Sequence, residues 1–392
     1  MKKKFMNSVL AFGAIAMLSL FGSCSSDESG SEAVAGKTKT LKVRISIPST
    51  YGVDDAVQSG DAPSLEGDVY LFFVGGGYVR AVKQSSVSIL TTAGEVITDV
   101  PEAASSVVIV GNSATATIEG LSGIQAGDLE SKVMFVVANQ GAFSSNAVNM
   151  YGRASIAGFD GEMEVDVTVL PAVSRIEIGE VKSASAGDGV TELTGFKLAG
   201  IYINNTYAKF GMNYEFLPPP APDFLTDADK LNYVKGATVW ESGYPAAFCD
   251  IFPSPAEATT FTPATFDVGD AGKVWSYYVL PVKAGNGTTI NIDGEEVQQS
   301  SVPHIVLKIV DAKAGGAFAL GTYYVTVTQL EVGGEIITEL ERGKVYQIEE
   351  IEIAGENLSL MPEPGENSAT GLTVRATVEG WTPVATSPKI PK

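Results

Sequence analysis

Leu41-Lys42-Val43-Arg44-Ile45-Ser46-Ile47 alternates apolar and polar residues without a break. Successive side chains of an extended chain point to opposite faces, so Leu41, Val43, Ile45 and Ile47 share one face and Lys42, Arg44 and Ser46 the other. Such alternation marks a strand that buries one face and wets the other; Pro48, with no N–H to give to a ladder, ends it. The same period returns at Met163-Glu164-Val165-Asp166-Val167-Thr168-Val169. Between them, Asp68 to Val74 is a near-continuous apolar run closed by Gly75-Gly76-Gly77 and followed by Tyr78 to Val82, which reads as a hairpin whose turn requires positive φ. A triple glycine can also cradle a phosphate, but no helix N-terminus follows to supply aligned N–H groups, so the turn is favoured.

Working outward, the chain of 392 residues holds 42 glycines and 19 prolines among many Val, Ile, Thr, Tyr and Phe residues. That composition makes strands joined by turns, and we read the chain as all-β. Further strands are expected at Ser106 to Gly111, Lys132 to Ala138, Arg175 to Val181, Phe196 to Ile203, Val274 to Pro281, His304 to Val310, Thr322 to Leu330, Val345 to Ile353 and Leu372 to Val378. Ser49 to Asp68 reads as a long loop, residues 142–156 leave room for a short helix, and residues 212–239, with Pro218-Pro219-Pro220, read as an excursion. The spacing suits two β-sandwiches, 39–170 and 171–392.

Ahead of the first strand, Lys2, Lys3 and Lys4 precede an apolar run from Val9 to Phe21, too short to span a membrane and placed as an export signal is. Cys24 follows two small residues, Gly22 and Ser23, as in a bacterial lipobox; cleavage between Ser23 and Cys24 and a lipid on the Cys24 thiol are expected. The alternative is an ordinary secretory signal followed by a chance cysteine. Residues 24–38 then form a flexible tether of Ser, Asp, Glu, Gly and Ala. Removing residues 1–23 takes away three lysines and moves the formal charge from −20 to −23. A chain so acidic is repelled by nucleic-acid phosphates and by anionic membrane surfaces, so neither is expected as a partner.

Catalytic chemistry finds little to stand on. His304 is the single histidine, at the start of a strand, and no nucleophile-elbow pattern accompanies it. With Cys24 committed to lipid, Cys249 is the one remaining cysteine, read as a small buried hydrophobe; no disulfide forms and an N/S zinc set is out of reach. Asp267-Val268-Gly269-Asp270 lacks the oxygen-ligand spacing of a calcium loop and reads as a solvated turn. Carboxylates are plentiful and none is singled out as a glycosidase-type acid. Tyr277-Tyr278 and Tyr323-Tyr324 would each turn one ring inward and one outward. We expect no catalytic residue, no metal and no cofactor.

The ordered set of motifs resembles the fimbrillin family, the lipoprotein pilin subunits of Bacteroidales. The residues that carry the likeness are the lipobox at Cys24 with Asp27-Glu28 behind it, the first strand Lys39 to Pro48, Met134 to Asn139, Arg175-Ile176-Glu177-Ile178, and Leu198 to Asn205. Tyr277 to Pro281, Gly343-Lys344-Val345-Tyr346 and Leu372 to Trp381 complete it. The resemblance implies two transthyretin-like β-sandwich domains in tandem and a non-enzymatic, surface-exposed role in a fimbrium at the cell outer membrane, held there by lipid. It implies that a protease removes the first strand, displacing Leu41, Val43, Ile45 and Ile47, and that the C-terminal tail of another pilin subunit fills the groove. In this chain the tail's anchors would be Val384 and Ile390. A ligand on a host or bacterial surface would be a further partner. One feature departs from the family: residues 45–79 contain neither arginine nor lysine, where family processing follows an arginine. The alternative is a non-polymerising surface lipoprotein, a pilus anchor or a glycan-binding module; a surface hydrolase is a more distant rival.

Overall fold

The computed structural model describes residues 37–49, 64–113, 120–137, 147–157, 163–184, 193–204, 206–207, 209–212, 233–234, 244, 246–254, 256–263, 274–281, 289–292, 295–298, 302–314, 317–318, 321–360, 372–380 and 382–383. The expectation of an all-β sandwich fold is met. Strands from the first part of the chain are β1 (Thr38–Ser46), β2 (Asp68–Gly75), β3 (Tyr78–Ser86), β4 (Glu95–Pro101), β5 (Ser106–Gly111), β6 (Met150–Ser155) and β7 (Met163–Thr168). They form two sheets: one of order β4-β1-β7, and one in which β6, β5, β2 and β3 follow the short strand Leu170–Pro171. Gly76 and Gly77 turn the β2–β3 hairpin at φ 58° and 80°, where a side chain would strain the backbone.

The apolar run of β2 has a physical reason: both faces of its sheet are covered. Val69, Leu71 and Phe73 join the main core with Leu41, Val43 and Val107, whereas Tyr70, Phe72 and Val74 pack into a second cluster with Leu129, Phe135, Tyr151 and Met212. Helix α2 (Ala126–Lys132), with Leu129, contributes to that second layer, and among the described residues of the stretch expected from Lys132 to Ala138 the strand is Met134–Val136. Helix α1 (Val87–Thr92), which buries Leu90, and β4 carry no signal in the sequence analysis. The helix expected within residues 142–156 is corrected over the described part, where Met150–Ser155 is a strand pairing with both β5 and Leu170–Pro171. Local propensity does not favour a strand here; its partners on both sides hold it as one, with Met150, Tyr151 and Gly152 buried.

The second set of strands is β8 (Ser174–Ser183), β9 (Leu193–Asn204), β10 (Trp275–Val279), β11 (His304–Ala314), β12 (Thr322–Val332), β13 (Lys344–Ile353), β14 (Leu372–Arg375) and β15 (Thr377–Gly380). One sheet runs Thr260–Phe261, β8, β13, β15, with β10 also on β8; the other runs Cys249–Ile251, β9, β11, β12, Glu335–Ile336, with β14 parallel to β12. The single strand expected from Leu372 to Val378 is therefore two, one in each sheet, crossing at Ala376, whose N–H bonds Glu331 O at 2.8 Å. Arg175 and Glu177 of β8 are both buried and paired at 2.8 Å, on the face opposite Ile176 and Ile178.

Segments from the two sets meet directly. Lys209–Gly211 pairs antiparallel with Met134–Val136, and Met212 N–H continues the contact to Val133 O at 3.0 Å. Arg342 lies over the Tyr151 ring, 3.8 Å from its centroid, and donates to Tyr151 O at 3.2 Å; burial lowers its guanidinium's affinity for the proton.

Candidate functional site

The seat of β1 is the site at which sequence and structure converge. β1 is the central strand of its sheet: antiparallel to β4 on one side, with Leu41 opposite Ile97, and parallel to β7 on the other, from Leu41–Met163 to Ser46–Thr168. Its backbone is paired on both sides over Leu41–Val43, on the β4 side before that and on the β7 side from Arg44 to Ser46. Leu41 and Val43 are fully buried and Ile45 is nearly so; Ile47 is half-buried against the same core. At about 1.5–3 kcal/mol for each fully buried aliphatic side chain, the first three contribute on the order of 4 to 9 kcal/mol of gross burial. Taking β1 away would leave two unpaired strand edges over an apolar floor.

The ends and the outer face of this strand are also held. Lys39, beside a bulge between Lys39 and Leu41, donates from Nζ to Ala104 O at 2.6 Å; burial lowers its pKa, against the opposing pull of Glu102. At the other end Val169 N–H reaches Ser46 O at 2.9 Å. There β6 crosses so close that a Cβ on Gly152 would lie 2.1 Å from Thr168 O, which closes that end of the seat. On the outer face Glu164 of β7 meets two cations of β1, Lys42 at 3.6 Å and, more closely, Arg44, while Asp166 stands in register with Arg44. Glu164 was not among the residues expected at a site. Its signal was there, in two alternating strands with cations at the polar positions of one and acids at those of the other.

Past β1, Pro48–Ser49 pairs antiparallel with Thr382–Pro383. Thr382 and Pro383, just ahead of the expected tail anchor Val384, thus pair with the exit of the first strand. Val384 and Ile390 lie outside the described residues, as do Ser23, Cys24, Asp267 and Asp270.

Other residues singled out from the sequence fall apart from this seat. His304 opens β11 opposite Asn204. Cys249 is half-buried rather than buried, because its strand, Cys249–Ile251, lies at the sheet's edge; burial first, then Asp250, pushes its thiol pKa up. Tyr277 is buried and donates to Asp250 Oδ2 at 2.7 Å, and burial raises its pKa well above the ordinary value. Tyr278 is half-buried beside Arg175, so the first tyrosine pair divides inward and outward, while Tyr323 and Tyr324 are both half-buried. Among the described residues no group of three His, Cys, Asp or Glu could hold a metal ion. A surface cleft of about 990 Å³ is lined by Glu331, Gln347, Glu349, Glu350, Glu352 and Arg375. Three of its four acids are met by cations, Lys182 at 2.7 Å from Glu350 and 2.9 Å from Glu352, and Arg375 at 3.3 Å from Glu331.

No protein-family model and no curated protein matches the chain. Solved structures do. A candidate cell adhesion protein from Parabacteroides distasonis superposes with a TM-score of 0.57 at 13% identity, covering 88% of this chain and 100% of that one. A second from the same organism gives 0.51 at 13%, covering 88% and 97%. A fimbrilin from Porphyromonas gingivalis gives 0.54 at 14% identity, covering 88% of this chain and 98% of its own. At such identities the likeness speaks to architecture, and the architecture of this chain is similar to that of a fimbrilin over nearly the whole length of both.

Proposed function

We propose that the protein is a structural subunit of a cell-surface fimbria, exported as a lipoprotein precursor with lipid on Cys24 and assembled by strand exchange. In this reading residues 39–170 and 171–392 are two tandem sandwich domains, and the partners are other pilin subunits. The outer membrane is reached through lipid. The observation that carries it is the position of β1. The first strand sits centrally in a sheet, paired on both sides over Leu41–Val43, with three aliphatic side chains in the core. An incoming strand would restore the ladders and fill the pockets, which is how strand addition joins chains without covalent bonds. The fold shared with a fimbrilin supports the same reading.

The absence of lysine and arginine from residues 45–79 and the pairing of Thr382–Pro383 with Pro48–Ser49 favour a second reading, a subunit that keeps its first strand and anchors or ends the filament. One experiment separates them. Cells expressing the wild type, a chain ending at Pro383, and Cys24→Ala are examined for SDS-resistant ladders and for fatty-acid labelling. The polymerising reading expects ladders in the wild type, none in the truncated chain, and no label on Cys24→Ala. Ladders from the truncated chain sink tail donation; labelling of Cys24→Ala sinks lipidation at that residue.

A further inference from the structure

Two prolines face each other where the exit of β1 pairs with the last described residues of the chain. Pro48 is opposite Pro383 and Ser49 opposite Thr382, antiparallel. In such a pair, opposed residues alternate between a rung that exchanges two N–H···O bonds and a rung that exchanges none. Proline has no N–H to give, so Pro48 and Pro383 share the open rung and the bonded rung falls on Ser49 and Thr382. A slip of one residue would put one of the two prolines on a bonded rung. The pairing therefore has a single register.

What this rung connects gives it a use. Upstream of it, β1 is seated between β4 and β7, with Ile47 half-buried against the core. On the facing segment, β15 ends at Gly380, opposite Lys344 of β13, and Trp381 alone separates it from Thr382. The rung is thus the point at which the exit of the first strand holds the root of the C-terminal tail. The residues that resume at Ser64 are held by other partners. Leu65 is buried in the main core, Asn112 Nδ2 donates to Ser64 O at 2.7 Å, and Glu66 N–H donates to Asn112 Oδ1 at 3.0 Å. A cut between Ser49 and Ser64 would divide the chain between these two holds: Pro48 and Ser49 leave with the first strand, while Ser64 to Glu66 stay with the body.

We propose that Pro48-Ser49 and Thr382-Pro383 form a clasp, which keeps the tail of an unprocessed subunit on its own first strand and frees it when that strand leaves. The use of the clasp rests on the strand-exchange reading; its existence does not. An uncut subunit is held back from donating its tail, and the event that opens the β1 seat also releases the tail, so the two halves of assembly are switched together. Two exposed hydrogen bonds hold the root by roughly five- to hundredfold, which orders the steps without trapping the tail.

The test uses residues 24–392 with Cys24→Ala and a site for a sequence-specific protease inserted within residues 50–63. Hydrogen exchange is followed at the Ser49 and Thr382 amides. In the uncut protein both exchange roughly five- to hundredfold more slowly than in free peptides of residues 45–52 and 379–392. Ser49→Pro, which takes one donor from the bonded rung, speeds Thr382 toward the peptide rate and leaves the melting temperature unchanged. Cutting and removing the fragment that carries β1 brings Thr382 to the peptide rate. Adding back a peptide of residues 37–49 slows it again, whereas a peptide of residues 37–47, which fills the seat but lacks the clasp, does not. Because both peptides restore the first strand, a folding defect cannot imitate that difference. Thr382 at the peptide rate in the uncut protein, or equal slowing by the two peptides, overturns the clasp and leaves strand exchange standing. Exchange that follows the peptides as expected, in a protein whose cut form never joins into SDS-resistant dimers, upholds the clasp and overturns strand exchange.

Discussion

Arg175 and Glu177 show what a single residue's setting decides. Both lie on β8 at alternate positions, and Glu177 has no exposed surface, so its charge depends on Arg175 at 2.8 Å and on Gln347 Nε2, which donates to Oε2 at 3.2 Å. A buried carboxylate with its partner intact is close to neutral for stability, but removing one member strands the other charge in a poor solvent. Glu177→Ala should therefore destabilise the protein by about 3–5 kcal/mol. Urea unfolding checks this, and a change under about 1 kcal/mol would show that water reaches Arg175 once Glu177 is gone. The alternation of Arg175, Ile176, Glu177 and Ile178 was legible as a strand. That its polar face would be covered as fully as its apolar face was not, because Tyr278 and Gln347 come from strands about a hundred and about a hundred and seventy residues away.

β1 is the element on which sequence and structure agree most closely, since strict period-two alternation can be satisfied only by a strand with one face in a core. The same alternation makes a sharp prediction about what holds it. Leu41→Ala should cost roughly 2–5 kcal/mol, as large-to-small changes at fully buried sites do. Lys42→Ala, on the outer face and one bond of a half-exposed pair, should cost less than about 1 kcal/mol. Thermal unfolding of the two variants side by side decides it; similar losses from both would mean that the strand is not seated as described. Elements that escaped the sequence analysis have weak local patterns. β4 mixes exposed Val96 with buried Ile97 and Val100, and α1 is six residues long with one buried side chain, Leu90. A helix so short has little amphipathic period to detect and is held by its packing rather than by propensity.

At the scale of the whole molecule, the sheets of residues 38–171 and those of 174–380 draw on different parts of the chain, yet they do not close separately. Lys209–Gly211 supplies a strand to Met134–Val136, and Met212 fills the cluster around Phe72, Phe135 and Tyr151. A fragment of residues 37–172 should accordingly expose that cluster. Compared with the full chain it should bind a hydrophobic dye and unfold at lower denaturant, having lost both the Lys209–Met212 segment and the Arg342 contact over Tyr151. A fragment that neither binds dye nor loses stability would show that residues 37–172 are self-sufficient.

Taken by itself, the sequence determined the strands with clean alternation, the β2–β3 turn at Gly76 and Gly77, and the all-β class. These are local properties: a period of two and the need for positive φ are written in consecutive residues. Tertiary structure alone decided that β2 is covered on both faces, that Leu372 to Gly380 divides between two sheets at Ala376, and that Glu164 stands between Lys42 and Arg44. Each depends on which distant strand becomes a neighbour. Alternation says that a side chain faces in or out, but only the register of the pairing says what it faces, since a slip of one residue exchanges every partner.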